Sequence, residues 1–167
     1  MFIFAGTFFG LLVLGAVLYP YFSIAFAEEL RGFMAVTASI CGTCLGFFAN
    51  NISVADRVLT WNGFSVEIIE ECTGIFEMLI YTAAVLSYPA SWKARGIGLL
   101  LGIPLLYGFN IARIVFLTII GAGSPGLFKF MHLYFWQATL ILMITSVWVL
   151  WILFVANRDK KASHILS

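Results

Sequence analysis

Residues 96–120 read GIGLLLGIPLLYGFNIARIVFLTII, an apolar run whose two strongly polar side chains are Asn110 and Arg113. A helix needs about 20 apolar residues to cross the hydrocarbon core, so this run is long enough to span a membrane. Asn110 and Arg113 are three positions apart, which puts them on one helical face. A charged side chain inside a membrane helix costs about 2.5–3.5 kcal/mol on insertion scales, so Arg113 should face protein rather than lipid.

The remainder of the chain has the same apolar character. Its 167 residues are 62% apolar and 10% charged, whereas soluble domains carry about 25% charged residues. The sequence therefore predicts an all-α integral membrane protein forming a single domain over residues 1–167. The predicted transmembrane helices lie at residues 2–27, 32–49, 74–90, 96–120 and 132–156. Membrane lipids are its predicted surroundings, and no basic cluster is large enough to bind nucleic acid.

The longest polar stretch, residues 50–71, separates the second and third predicted helices. Within it, the dipeptide Asn62-Gly63 lies between two short runs rich in β-branched and aromatic residues, 58–61 and 64–68. Both turn positions tolerate positive φ, which is typical of a two-residue hairpin loop. We therefore predict a small β-hairpin on the membrane surface, able to bind an extended peptide by strand addition.

The distribution of basic residues predicts the orientation. If residues 157–167 form a cytoplasmic tail, five crossings put six basic residues inside: Arg31, Lys93, Arg95, Arg158, Lys160 and Lys161. Only Arg57 and Lys129 then lie outside. The positive-inside rule favours this arrangement, with the N-terminus outside and the C-terminus inside. The hairpin is then extracytoplasmic.

This topology brings three chemically capable residues to a similar depth near the outer surface. Cys72 precedes the third predicted helix, Arg113 lies in the outer third of the fourth, and His132 begins the fifth. A helix N-terminus favours the thiolate form of a cysteine. Such a thiolate can attack a carbonyl while a histidine carries protons and an arginine stabilises the oxyanion.

Other residues have structural interpretations. Glu77 is a possible ion partner of Arg113, and such a pair could hold the bundle together without any catalysis. Cys41 and Cys44 provide only two thiols, an incomplete metal site. The sequence therefore predicts no metal and no cofactor.

At the same positions the chain resembles the exosortase/archaeosortase family of membrane cysteine transpeptidases. The resemblance is carried by Glu71-Cys72-Thr73-Gly74, by Asn110-Ile111-Ala112-Arg113-Ile114, and by His132 with Trp136 one turn later. These motifs occur in the family's order, and the resemblance covers roughly residues 50–150. The chain is similar to short, core-only members such as exosortase H.

The resemblance implies an enzyme of the cytoplasmic (inner) membrane with its active site on the extracytoplasmic face. Its partners would be substrate proteins with a C-terminal sorting signal, which is a short motif followed by a transmembrane helix and a basic cluster. Cys72 would be the nucleophile, Arg113 the transition-state stabiliser and His132 the acid/base. Supporting roles would fall to Asn110, Glu77, Gly74 and Trp136.

Two other functional classes fit some of the same features. A non-enzymatic assembly subunit would use Arg113 and Glu77 as a structural pair. A transporter would line a path with them, although five helices without repeat symmetry argue against a complete secondary transporter. The oligomeric state, the sorting motif and the acceptor are not predicted.

Overall fold

The computed structural model describes residues 2–132 and 136–157, except for the side chains of Pro125 and Trp136. In this part of the chain the helices are Phe2–Ala25 (α1), Ala27–Gly46 (α2), Ile75–Ser87 (α3), Trp92–Gly123 (α4), Pro125–Phe130 (α5) and Trp136–Trp151 (α6). A π-helical segment, Ile152–Ala156, continues α6. The strands are Ile52–Ala55 (β1), Val58–Trp61 (β2) and Phe64–Glu67 (β3), followed by the 3₁₀ turn Glu70–Cys72.

Three of the described helices are long and apolar enough to cross a membrane. They are α1, α4 and the segment Gln137–Ala156. Helix α3 is also apolar but has only 13 residues. The predicted all-α membrane class is therefore confirmed, whereas the count of five crossings and their orientation stay predictions.

Two helices begin earlier than the sequence predicted. Helix α2 starts at Ala27 rather than at residue 32, because Glu28 and Glu29 fall in its first turn, where acidic side chains interact favourably with the helix dipole. Helix α4 starts at Trp92 rather than at residue 96. The hydroxyl of Ser91 accepts a hydrogen bond of 3.2 Å from the Ala94 N–H and so caps this helix. The charged residues before the predicted starts of these two helices, which include Glu28, Glu29 and Lys93, therefore lie in helices rather than in loops.

The predicted hairpin is present and forms part of a larger sheet. Strands β2 and β3 pair antiparallel with Trp61 opposite Phe64, so Asn62 and Gly63 form the two-residue loop. Their φ angles are 50° and 77°, the positive values that such a loop requires. The strand β1, which the sequence analysis missed, pairs antiparallel with β2 and gives the order β1-β2-β3.

The chain divides into two compact units. The first comprises residues 1–22, 76–106 and 140–167. In it, Tyr81 donates a hydrogen bond of 3.0 Å to the Gly98 carbonyl, and Trp151 donates one of 2.9 Å to the Ala94 carbonyl. Gly98 and Gly102 leave no room for a Cβ, because the rings of Trp151 and Tyr81 pack directly on them.

The second unit comprises residues 23–75 and 107–139. Its core combines side chains of α2, the sheet, the segment after β3 and the second half of α4. The buried members are Met34, Ala38, Cys41, Leu59, Ile68, Cys72, Ile111 and Ile114. This core fixes the 3₁₀ turn that carries Cys72 against α4.

Candidate active site

Cys72 is the last residue of the 3₁₀ turn that follows β3. Its N–H donates a hydrogen bond of 2.9 Å to the Ile69 carbonyl, and its side chain is buried, with 8% exposure. The next residue, Thr73, is fully buried and donates from both its N–H and its hydroxyl to the Glu70 carbonyl, at 3.0 and 2.6 Å. The turn is therefore held by its own backbone and by one threonine.

Gly74 has two structural reasons to be glycine. Its φ is +81°, a left-handed conformation that L-residues adopt only at a cost. A Cβ on Gly74 would also lie 3.2 Å from Cγ of Asn110, closer than ordinary van der Waals contact. The glycine lets the chain turn from Cys72 into α3 while Asn110 packs directly on it.

Asn110 links the cysteine to the arginine. It is fully buried in α4, and its Nδ2 donates a hydrogen bond of 2.7 Å to the Cys72 carbonyl. Its Oδ1 accepts a hydrogen bond of 3.2 Å from Nη1 of Arg113, which lies three positions later on the same helical face. One amide thus fixes the Cys72 backbone and one nitrogen of the guanidinium.

Arg113 is buried, with only 7% of its surface exposed. A buried guanidinium requires compensating polar contacts, and the bond to Asn110 provides one of them. Arg113 also borders the cavity described below, so its positive charge is available to a group bound there.

His132 lies two residues after the end of the short helix α5. Its ring stacks on Phe128, with the ring centroids 5.4 Å apart and the planes 12° from parallel. Its Nδ1 is buried, and within residues 2–132 and 136–157 no hydrogen-bond partner reaches this atom. Burial, and then the charge of Arg113, lower the pKa of His132 below its usual 6.5. The imidazole is therefore neutral at pH 7 and able to accept a proton.

These groups line one cavity of about 210 Å³. Its walls come from β3 and the residues after it, from α4 and from α5. The lining residues are Ser65, Val66, Glu67, Ile68, Ile69, Cys72, Arg113, Ile114, Leu117, Phe128 and His132. A thiol, an imidazole and a fixed positive charge therefore share one partly apolar space, a combination that is chemically suited to acyl transfer.

The other residues singled out in the sequence are placed differently. Glu77 is buried in α3 and belongs to the first unit, so its pairing with Arg113 stays a prediction. Trp136 begins α6, but its side chain is outside the described part of the molecule. Among the described residues, no group of three or more His, Cys, Asp or Glu could hold a metal ion.

Two contributors to this cavity were not predicted from the sequence. Phe128 lies in a stretch read as a Gly/Pro loop, where Pro125 at the first turn of α5 was the available helix signal. The side of β3 was expected only as part of a surface hairpin, yet Ser65 and Glu67 line the cavity itself. No spacing in the sequence relates either of them to Cys72.

A family model described as transmembrane exosortase matches residues 3–151. No curated protein and no solved structure is significantly similar to the chain.

Proposed function

The chain belongs to the transmembrane exosortase family, a family of cysteine peptidases and transpeptidases, and we propose that it cleaves proteins at a C-terminal sorting signal. The reaction would proceed through a thioester on Cys72. The family match covers most of the chain, including the positions of Cys72, Arg113 and His132. The observation that carries the proposal is that these three side chains line one cavity.

In the first half of the proposed reaction, the sulfur of Cys72 attacks the carbonyl carbon of the scissile peptide bond. The thiol proton passes to His132 as the S–C bond forms. The C–N bond then breaks, and His132 returns the proton to the departing amine. The lowered pKa of His132 supports this role, because a neutral imidazole can take a proton at pH 7.

Arg113 would stabilise the negative charge that develops on the carbonyl oxygen. A buried cation near the reacting atoms acts more strongly than one in water, because the surrounding dielectric is low. Asn110 would act as a positioning residue. Its hydrogen bonds of 2.7 Å to the Cys72 carbonyl and 3.2 Å to Arg113 would hold the cysteine and the guanidinium in fixed positions relative to each other.

In the second half, water or an acceptor amine attacks the thioester. His132 accepts the proton of that nucleophile, the C–S bond breaks, and the proton returns to the Cys72 sulfur. Hydrolysis releases a free carboxylate, whereas an amine forms a new amide bond. The product depends on which nucleophile enters the cavity, so the same site serves as protease or transpeptidase.

The proposal includes a membrane topology of five crossings with the N-terminus outside. Three described helices have the length and apolarity for this, and the count of basic residues supports the orientation. The cavity would then open on the extracytoplasmic side of the cytoplasmic membrane. A substrate anchored by its own transmembrane helix would present its motif beside Cys72, and this proximity would replace much of the affinity of a soluble pocket.

The direct test is processing of a candidate substrate, a protein from the same cell with the motif, helix and basic tail, in membranes containing the full chain. Cys72→Ala should abolish cleavage while the protein remains folded in the membrane. Cys44→Ala is the matched control, because Cys44 is a half-buried thiol of the same unit that does not line the cavity. Unchanged cleavage by Cys72→Ala would favour the non-enzymatic assembly role instead.

A further inference from the structure

The edge of β3 that is not paired with β2 borders the cavity lined by Cys72. The order β1-β2-β3 leaves one side of β3 without a partner strand in the described structure. Ser65 and Glu67 of this strand line the cavity together with Ile69. An unpaired strand edge presents backbone donors and acceptors that can pair with another extended chain.

The hydrogen-bonding phase of β3 shows which backbone groups lie at that edge. The Ile68 N–H donates a hydrogen bond of 2.8 Å to the Arg57 carbonyl, so the backbone N–H and C=O groups of Ile68 point toward β2. Successive residues of a strand direct their N–H and C=O groups to opposite sides. The backbone groups of Phe64 and Val66 therefore point toward β2 as well. Those of Ser65 and Glu67 point to the free edge.

The chain remains extended from this edge almost to the cysteine. Ile69 has φ −103° and ψ 174°, and the turn that ends at Cys72 begins at the next residue. The side chains at the edge are engaged within the sheet. The Ser65 hydroxyl lies 2.8 Å from that of Thr60, and Glu67 pairs with Arg57 at 2.9 Å. Ser65, Glu67 and Ile69 are nevertheless exposed, and the extended chain leads from them to the turn that carries Cys72.

We propose that this edge binds the substrate polypeptide as a fourth strand, over the residues that precede the scissile bond. The inference rests on the proposed function and adds how the substrate is held. Backbone pairing would supply affinity with little dependence on sequence, and alternate side chains would supply selectivity. Every second substrate residue would then contact the cavity wall, where Leu117 and Phe128 favour apolar side chains.

Peptide chloromethyl ketones test this without knowledge of the natural substrate, because a thiolate displaces their chloride and stays attached. The purified full-length chain is treated with acetyl-alanyl reagents of one to four residues, and alkylation of Cys72 is followed by mass spectrometry. We expect the rate to rise with peptide length. N-methylation of the amides that face β3 should lower the alkylation rate by about tenfold, since it removes the backbone hydrogen bonds to the strand edge. N-methylation of the alternate set should have little effect.

The matched protein variants are Ser65→Pro and Ser65→Ala. Both lose the hydroxyl contact with Thr60, but only Ser65→Pro removes the N–H at the free edge. Ser65→Pro should lose the gain in rate with peptide length, measured against its own rate with the one-residue reagent. Ser65→Ala should retain the gain. The methylated peptides test wild-type protein, so the conclusion does not depend on how well Ser65→Pro folds.

Equal rates for both methylated sets, with Cys72 still reactive toward iodoacetamide, would overturn strand addition and leave the proposed function intact. A Cys72 inert to every reagent would overturn the proposed function and this inference with it. An edge occupied by a second copy of the chain would appear as a dimer that Ser65→Pro converts to monomer, with rates insensitive to methylation, and would also overturn the inference.

Discussion

Asn110 donates a hydrogen bond of 2.7 Å to the carbonyl oxygen of Cys72, although 38 positions separate the two residues. The same amide accepts a hydrogen bond from Arg113. The cysteine and the arginine are therefore oriented through one buried side chain, which makes Asn110 the residue to test first.

Asn110→Ala should slow the reaction at Cys72 without weakening substrate binding. The variant leaves the buried Cys72 carbonyl unsatisfied at a cost of about 1–3 kcal/mol and releases one side of Arg113. We expect kcat to fall by at least about tenfold, which corresponds to 1.4 kcal/mol, while KM changes little. Steady-state kinetics of processing provide the measurement.

Thr37→Val is the control for Asn110→Ala. Thr37 is fully buried in the same unit, its hydroxyl lies 3.0 Å from that of Tyr107, and neither residue lines the cavity. It should lower the stability of the protein and leave kcat unchanged. An equal fall in kcat for both variants would mean that Asn110 acts only through overall stability.

Phe128→Ala should raise the pKa of His132. Burial is the larger cause of its lowering, and the Phe128 ring covers one face of the imidazole. Its removal admits water and favours the charged form. Leu127→Ala is the control, because Leu127 is 48% exposed on the same short helix. Histidine NMR titration in detergent measures the shift, with the His164→Asn background leaving a single histidine signal.

Arg113→Gln should raise the pKa of His132 for a different reason, since it removes the positive charge that disfavours a protonated imidazole. Arg113→Lys retains a positive charge and should shift the pKa of His132 less than Arg113→Gln does. A His132 titration that is identical in wild type and Arg113→Gln would contradict the electrostatic coupling of the two residues.

Because the pKa of His132 is lowered, both activity and stability should decline as the pH falls below 6.5. The unfolded chain binds the proton near pH 6.5 and the folded chain only at lower pH. The contribution of His132 to stability is therefore complete above pH 6.5 and is lost as the pH falls toward the folded pKa. Acylation of Cys72 should remain fast at pH 6.5 and decline below it. A decline centred above pH 6.5 in wild type would contradict this.

Gly74→Ala should impair both folding and activity. The left-handed conformation costs an L-residue roughly 1–2 kcal/mol, and the new methyl group presses on Asn110. Gly108→Ala on α4 is the matched change, because a Cβ there meets open space. Thermal unfolding and processing rates of the two variants should differ clearly. Equal behaviour would show that the turn after Cys72 tolerates a side chain.

Local chemical signals explain what the sequence could predict of the fold. Asn62 and Gly63 alone determine a tight turn, so the β2–β3 hairpin could be predicted. Strand β1 was missed because Asp56 and Arg57, which connect it to β2, include no glycine, and the positive φ of 53° at Asp56 is unusual for a residue other than glycine. The early starts of α2 and α4 were missed because charged residues at a helix end resemble a loop.

The candidate site divides in the same way. Cys72, Arg113 and His132 could be singled out because each is chemically unusual near a membrane surface. The residues that pack against them and hydrogen-bond to them could not be predicted. The stacking of Phe128 on His132 and the bond from Asn110 to the Cys72 carbonyl arise from tertiary packing, which no spacing along the chain encodes.

The most direct test of the central claim is to trap the covalent intermediate. A candidate substrate is incubated with the full-length protein, quenched in acid and analysed by mass spectrometry of the Cys72 peptide. The account predicts an acyl adduct on Cys72 that hydroxylamine removes, that is absent in Cys72→Ala, and that persists longer in His132→Ala once formed. Cleavage of the substrate by the Cys72→Ala variant, or an adduct on any other residue, would contradict it.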